Sequence, residues 1–293
     1  MSTRDPLPRS FPAGFRDHRR TFEDNFYVYP VLSRRSGGIS IGVNLNPDTR
    51  CNMDCIYCQV DRVSPPRTMT VDLALLSAEL GTLISEVQSG ALFDHPRFKD
   101  TPEALRRLND VAFSGDGEPT TFKPFDAAVG VVVDHKRKMG LDDLKIVLIT
   151  DSGCLHHDHV ERGLALMDAN QGQVWAKLDA GTEEMYRQVN RTAIPFRRVL
   201  KNLALCASIR PIVIQSLFMR IADEGPSEAE IDAYIGRLKV IEEAGTVEEV
   251  HIYTVARKPA EDVVNALDRP EMDAISARVR AAIDSPVRTF YGS

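Results

Sequence analysis

Cys51, Cys55 and Cys58 gather three of the chain's five cysteines within eight residues. Thiolates are the soft ligands that hold zinc and iron–sulfur clusters. Three of them are one short of a closed four-thiolate site. Either a fourth donor comes from elsewhere, or one metal position is left open. Cys154, Cys206, His156, His157 and His159 are the available fourth donors. A structural zinc site requires one of these, and an electron-transfer ferredoxin wants four cysteines at close spacing.

A second stretch, Ser114-Gly115-Asp116-Gly117-Glu118-Pro119-Thr120, joins glycines to a carboxylate and a fixed turn. Glycines let a backbone approach a ligand closely, and proline holds the turn. A carboxylate beside them can accept hydrogen bonds from an ammonium group. Lys177 and Asp179 are two apart on one expected strand, so both side chains face the same way. A charged pair facing a barrel interior points to cofactor or substrate binding. Asp151 and Gln215 are further polar residues at strand ends, and the competing reading of each is a satisfied strand terminus.

These residues need a scaffold that brings them together. Gly38–Leu45 alternates as a strand should, and so begins a succession of strand and helix patterns. Strands are expected at Asp110–Ser114, Lys145–Thr150, Gln173–Asp179, Ile212–Phe218 and Glu249–Val255. Apolar helical faces are expected over Val71–Gln88, Phe125–Met139, Glu183–Asn190, Phe196–Ala207 and Glu271–Ile283, with two more around Leu164 and Leu238. Ser227 and Glu230 have capping-box spacing. Six successive strand–helix units predict an α/β fold with a parallel sheet. A doubly wound sheet and a barrel both fit, and in either the chemistry gathers at the C-terminal strand ends. The cysteine loop, Gly115–Glu118, Asp151 and Asp179 all follow strands, so they are expected on one rim.

The net charge of −6 argues against non-specific nucleic-acid or anionic-membrane binding. No apolar run reaches the length of a membrane helix, and Met1–Pro6 starts no signal peptide. Clustered, odd-numbered cysteines read as metal binding in a reducing compartment, so a cytoplasmic location is expected. Residues 1–36 carry seven Arg against four acids, among them Arg16, Arg19, Arg20, Arg34 and Arg35. This arm is expected to be a solvated extension packed by Phe22, Phe26 and Tyr29; contact with a substrate phosphate is the alternative. Arg257 and Lys258 are expected as surface charges, Cys206 as core, and His156–His159 as a solvated helix start.

The C-x3-C-x2-C spacing, with Tyr57 before the last cysteine, resembles the radical S-adenosylmethionine superfamily. Gly115–Pro119 resembles that superfamily's Gly-Gly-Glu-Pro element, with Asp116 standing where the family has glycine. The resemblance implies a partial (β/α)6 TIM-type barrel over residues 37–293, after the extension at 1–36. It implies a 4Fe–4S cluster held by Cys51, Cys55 and Cys58, with S-adenosylmethionine on the open iron. Tyr57 then helps seat the adenine, and Glu118 meets the methionyl amine. Asp151, Lys177, Asp179 and Gln215 occupy positions where the superfamily often contacts the ribose or carboxylate of the cofactor. The implied reaction is one-electron cleavage to a 5′-deoxyadenosyl radical that abstracts hydrogen from a substrate. It needs a flavodoxin- or ferredoxin-like electron donor. The three motifs at Cys51–Gln59, Gly117–Thr120 and His251–Pro259 look like the wyosine-synthase branch, which acts on transfer RNA. A small-molecule substrate and an RNA substrate both remain open, as does a non-catalytic iron–sulfur or zinc module.

Overall fold

Strands β1 (Val28–Ser33) and β2 (Gly38–Val43) form an antiparallel hairpin, in register from Val28 opposite Val43 to Ser33 opposite Gly38. This is a computed structural model that describes residues 20–33, 35–257, 259 and 261–292. Arg16, Arg19, Arg34 and Lys258 lie outside the described residues. From β2 onward the sheet is parallel, through β3 (Leu108–Phe113), β4 (Lys145–Thr150), β5 (Gly172–Lys177) and β6 (Ile212–Leu217). A short β7 (Met219–Ile221) leaves the sheet after β6 and pairs with β9 (Val264–Ala266). The main sheet continues with β8 (Val247–Tyr253) and closes its order with β10 (Val287–Phe290).

The strand order is β1-β2-β3-β4-β5-β6-β8-β10, with edges at β1 and β10 that do not pair. The result is an α/β partial barrel, as expected. The six expected parallel strands are β2, β3, β4, β5, β6 and β8. Two more join them: β1, from within the expected extension, and β10, whose four half-buried residues carry too little hydrophobic alternation to announce a strand.

Seven helices coat the outside among the described residues: α1 (Leu73–Ser89), α2 (Phe125–Lys138), α3 (Asp158–Asp168), α4 (Glu183–Asn190), α5 (Phe196–Ile209), α6 (Glu228–Ala244) and α7 (Arg269–Ala282). Each buries a stripe at helical spacing. In α1 it is Leu76, Leu80, Leu83, Ile84 and Val87. Asp72 caps the start of α1 by accepting from the N–H groups of Ala74 and Leu75, and Gly90 ends it in the left-handed conformation. No helix among the described residues is long and apolar enough to cross a membrane.

One expected cap is only half formed. The Ser227 hydroxyl accepts from the Glu230 N–H, but the Glu230 carboxylate does not return to Ser227. It crosses to the loop before α4 and accepts from Thr182 N–H at 3.1 Å and from the Thr182 hydroxyl at 2.6 Å. Orphan donors at the start of α4 compete for the same carboxylate. The complete capping box lies elsewhere, between Asp268 and Glu271, and it starts α7 two residues earlier than the apolar pattern alone suggests.

Alternation along the strands separates two cores. Val111, Phe113, Ile146 and Leu148 point outward into the helix layer. Ala112, Val147, Trp175 and Val213 pack together on the inner side, as a small apolar floor. The polar inner residues above and around that floor make the functional site.

Candidate active site

The inner face of the barrel encloses a cavity of about 1020 Å³, at the upper end of the range for small-molecule sites. Its wall includes Cys51, Cys55, Tyr57 and Cys58 from the loop after β2, and Gly115, Gly117 and Glu118 from the loop after β3. Asp151 after β4, Lys177 on β5 and Gln215 on β6 complete the set. Asp116, Pro119 and Asp179 stand behind this wall rather than on it.

The glycine loop owes its sequence to close packing on the cysteine loop. A Cβ on Gly117 would lie 2.0 Å from the Arg50 carbonyl oxygen, and one on Gly115 would lie 2.2 Å from Asn44 Oδ1. Neither position has room for a side chain. Asp116 points the other way. Its carboxylate accepts from Asn44 Nδ2 at 2.7 Å and pairs with Arg20 at 3.0 Å. The departure from the family's glycine thus anchors the N-terminal arm onto the loop. Pro119 opens a single 3₁₀ turn, Pro119–Thr121, whose first N–H groups are capped by Glu118.

That cap changes the reading of Glu118. Its buried carboxylate accepts from the Thr120 N–H at 3.1 Å and the Thr120 hydroxyl at 2.5 Å. It also accepts from the Thr150 hydroxyl and the Asp151 N–H, both at 2.7 Å. Four protein donors therefore occupy the group expected to meet an ammonium. The neighbouring carboxylate is different: Asp151 Oδ1 accepts from the Gly153 N–H at 2.7 Å, while Oδ2 is buried without a partner. Burial, and then the nearby Glu118, push Asp151 well above the ordinary carboxylate range.

The three thiols are free and stand on one wall. Burial pushes Cys51 up to about 11 and Cys55 up to about 12. Two of them already receive side-chain donors: Asn190 Nδ2 reaches Cys55 Sγ at 3.5 Å, and Arg62 Nη2 reaches Cys58 Sγ at 3.6 Å. Donors aimed at sulfur suit thiolates whose charge is shared with a metal cluster. The donor set thus fits a three-cysteine cluster. Cys154 approaches the same region, with Asn52 Nδ2 3.6 Å from its sulfur. Cys206 is buried in α5 beside Arg210, as core.

Lys177 and Asp179 pair at 3.3 Å, but only Lys177 lines the cavity: β5 ends at Lys177, and Asp179 is buried behind the wall. Asp179 also accepts from the Tyr57 hydroxyl at 2.5 Å and the Leu217 N–H at 3.0 Å. It thereby ties the cysteine loop to the ends of β5 and β6. Lys177 donates to the Tyr253 hydroxyl at 2.8 Å and sits over the Tyr57 ring. Burial pulls its ammonium down, but Asp179 and Tyr253 outweigh that and leave it above its ordinary range. A lysine held so firmly in its charged form is a fixed cation, not a nucleophile.

Several interior residues escaped the sequence reading. Arg20 and Arg35, expected on a solvated arm, line the cavity together with Tyr29. Phe22 and Tyr29 pack the arm as expected, while Phe26 is 36% exposed. Ser40, Asp110, Trp175, Tyr253, Arg288 and Phe290 also face inward, and strand alternation is the one sequence signal that places them there. The histidine run is not a solvated face. His159 bonds the Thr120 carbonyl at 3.0 Å and His156 bonds Asn202 at 3.1 Å, with the His157 ring packed between theirs. Arg257 is exposed at the cavity mouth, where its carbonyl accepts from Gln59.

Comparison with known proteins now bears on this geometry. The sequence model described as Radical SAM superfamily matches residues 45–229, more than half of the chain and every cavity loop from the cysteines to β6. The chain belongs to the radical SAM superfamily of enzymes. Among solved radical SAM structures, Streptococcus suis SuiB bound to S-adenosylmethionine superposes with a TM-score of 0.59 at 9% identity, over 89% of this chain and 52% of SuiB. TYW1 with a lysine–pyruvate adduct superposes with a TM-score of 0.53 at 15% identity, over 84% and 74%. These likenesses concern the partial-barrel fold.

Among curated proteins, a UPF0026 protein of Methanocaldococcus jannaschii is 30% identical over 169 residues, 55% of this chain and 43% of that protein. A protein named GTPase Obg from Brachyspira hyodysenteriae is 22% identical over 249 residues, 83% of this chain and 32% of that protein. The chain thus spans less than half the length of these relatives.

Proposed function

We propose that this radical SAM chain binds a 4Fe–4S cluster and S-adenosylmethionine in the barrel cavity and abstracts hydrogen from a substrate enclosed beneath them. The observation that carries the reading is that three free thiols and Asp151, whose Oδ2 has no partner, line one cavity. Cys51, Cys55 and Cys58 would hold the cluster. When bound, cluster and cofactor supply one-electron cleavage of a sulfonium to methionine and a hydrogen-abstracting 5′-deoxyadenosyl radical.

The remaining work belongs to the chain. Gly115 and Gly117 keep the wall free of side chains, so that a ligand can approach the backbone. Asp151 Oδ2 is the acceptor for the methionyl ammonium, with Glu118 holding the Asp151 backbone in place. Tyr57, tethered by Asp179, offers its ring to the adenine, and Lys177 contributes a fixed positive charge. The barrel walls exclude water from the radical. The electron comes from a flavodoxin- or ferredoxin-like donor. Free thiols at this site require a reducing compartment, which supports a cytoplasmic location.

Anaerobic reconstitution of the full chain tests the reading. Brown protein with about four irons per chain, and 5′-deoxyadenosine released on addition of dithionite and S-adenosylmethionine, are expected. Both are lost in a Cys51→Ala/Cys55→Ala/Cys58→Ala variant. A colourless protein retaining one zinc would sink the proposal.

A further inference from the structure

Arg35 and Gln215 meet inside the barrel from opposite directions. Arg35 is borne by the turn joining β1 to β2, at the end where the parallel strands begin. The cysteine and glycine loops lie at the other end, after β2 and β3. From its own end Arg35 donates through Nη1 to Gln215 Oε1 at 3.1 Å. Its guanidinium lies 4.4 Å from the Tyr253 ring centroid and 5.8 Å from that of Phe290.

Two features of this pair are unspent. Gln215 is 1% exposed, lines the cavity, and its Nε2 has no hydrogen-bond partner. The Arg35 contact fixes the orientation of the amide: Oε1 must be the acceptor, so the unpartnered atom is a donor. A buried N–H without an acceptor is costly unless a ligand supplies one. The second feature is charge. Lys177 is matched by Asp179 at 3.3 Å, Arg288 by Glu249 at 3.5 Å and Arg20 by Asp116 at 3.0 Å. Among the described residues, no carboxylate lies within ion-pair distance of Arg35, whose partners are the Gln215 amide and the Tyr253 and Phe290 rings.

We propose that Arg35 and Gln215 recognise a carboxylate of the substrate. The assignment rests on the cavity being the reaction chamber, and it reassigns Gln215 from the cofactor to the substrate. Arg62 and Arg269 also line the cavity without a carboxylate partner among the described residues, but only Arg35 is joined to a buried amide with a free N–H. That guanidinium and that N–H suit a planar anion with two acceptor oxygens. The rings of Tyr253 and Phe290 flank the guanidinium and limit its rotation, which lowers the entropy cost of ordering it.

Trp175, the chain's one tryptophan, lines the same cavity and reports on binding there. Tryptophan fluorescence of the full reconstituted chain is titrated with sodium succinate, with inorganic phosphate, and with chloride at matched ionic strength. A saturable response to succinate is expected, with none to chloride. Arg35→Met weakens it about tenfold or more, the worth of a charged hydrogen bond. Gln215→Glu, nearly isosteric, abolishes it by giving Arg35 an internal carboxylate. S-adenosylmethionine binding, measured separately by equilibrium dialysis, stays as in the parent in both variants. A parent that binds succinate but not S-adenosylmethionine defeats the radical reading and leaves the carboxylate site standing. An unchanged succinate response in both variants, a response to phosphate alone, or S-adenosylmethionine binding lost with Arg35 overturns the carboxylate assignment.

Discussion

The Asp151 N–H donates to Glu118 Oε2 at 2.7 Å, so the glycine loop and the end of β4 form one hydrogen-bonded unit. Glu118 also serves Thr120 and Thr150. Two neighbouring carboxylates consequently play unlike parts: one is consumed by structure and the other keeps one oxygen without a partner.

Glu118→Ala therefore acts first on stability. It orphans the buried N–H groups of Thr120 and Asp151, each worth about 1–3 kcal/mol when left unsatisfied. A loss of about 3 kcal/mol is expected in urea unfolding. Asp151→Ala orphans one backbone donor, the Gly153 N–H, and so should cost less stability while weakening S-adenosylmethionine binding more.

The Arg20–Asp116 pair ties the arm to the glycine loop. The two side chains are 32% and 24% exposed, so solvent screens the pair in part. A double-mutant cycle with Arg20→Ala and Asp116→Ala should give a coupling of about 0.5–1 kcal/mol. The coupling should shrink in 1 M salt, where screening is nearly complete. Asp116→Ala alone should cost more than Arg20→Ala, because it also strips Asn44 of an acceptor.

Asn190 and Arg62 each aim a donor at a different cysteine sulfur. Hydrogen bonds to sulfur stabilise the more negative, reduced cluster. Asn190→Leu and Arg62→Met should each lower the midpoint potential, read by electron paramagnetic resonance during a redox titration. Unchanged potentials would show that the donors turn away from sulfur once metal is bound.

His251 supplies a pH test. It is buried, bonded through Nε2 to Glu249 at 2.5 Å, and burial holds it below its ordinary range although Glu249 opposes this. Below about 6.5 the unfolded ring takes up a proton that the folded one refuses. The stability due to neutral His251 is fully present above that value. It falls as pH drops toward the depressed folded value. Glu249 is itself held below its ordinary range, so its own loss comes at lower pH. The stability difference between parent and His251→Gln should be largest at pH 7.5 and shrink toward pH 5.5, measured by guanidinium unfolding.

Much of this protein was written in local pattern. Cys51, Cys55 and Cys58 pointed to thiolate chemistry through their spacing along the chain alone. Strand alternation and helical stripes located the parallel strands, and with them the rim where the loops meet. Those signals are one-dimensional, set by residue type and by periods of two and 3.6. What tertiary structure decided was which polar groups are spent and which are free. Glu118 and Asp151 look equally available along the chain; only the placement of Thr120 and Thr150 around one of them separates their roles. Arg20 and Arg35 look like solvated charges, yet they close on partners 96 and 180 residues away. Hydrogen-bond satisfaction and charge pairing depend on groups that the sequence does not order by distance, so they exist only once the barrel has folded.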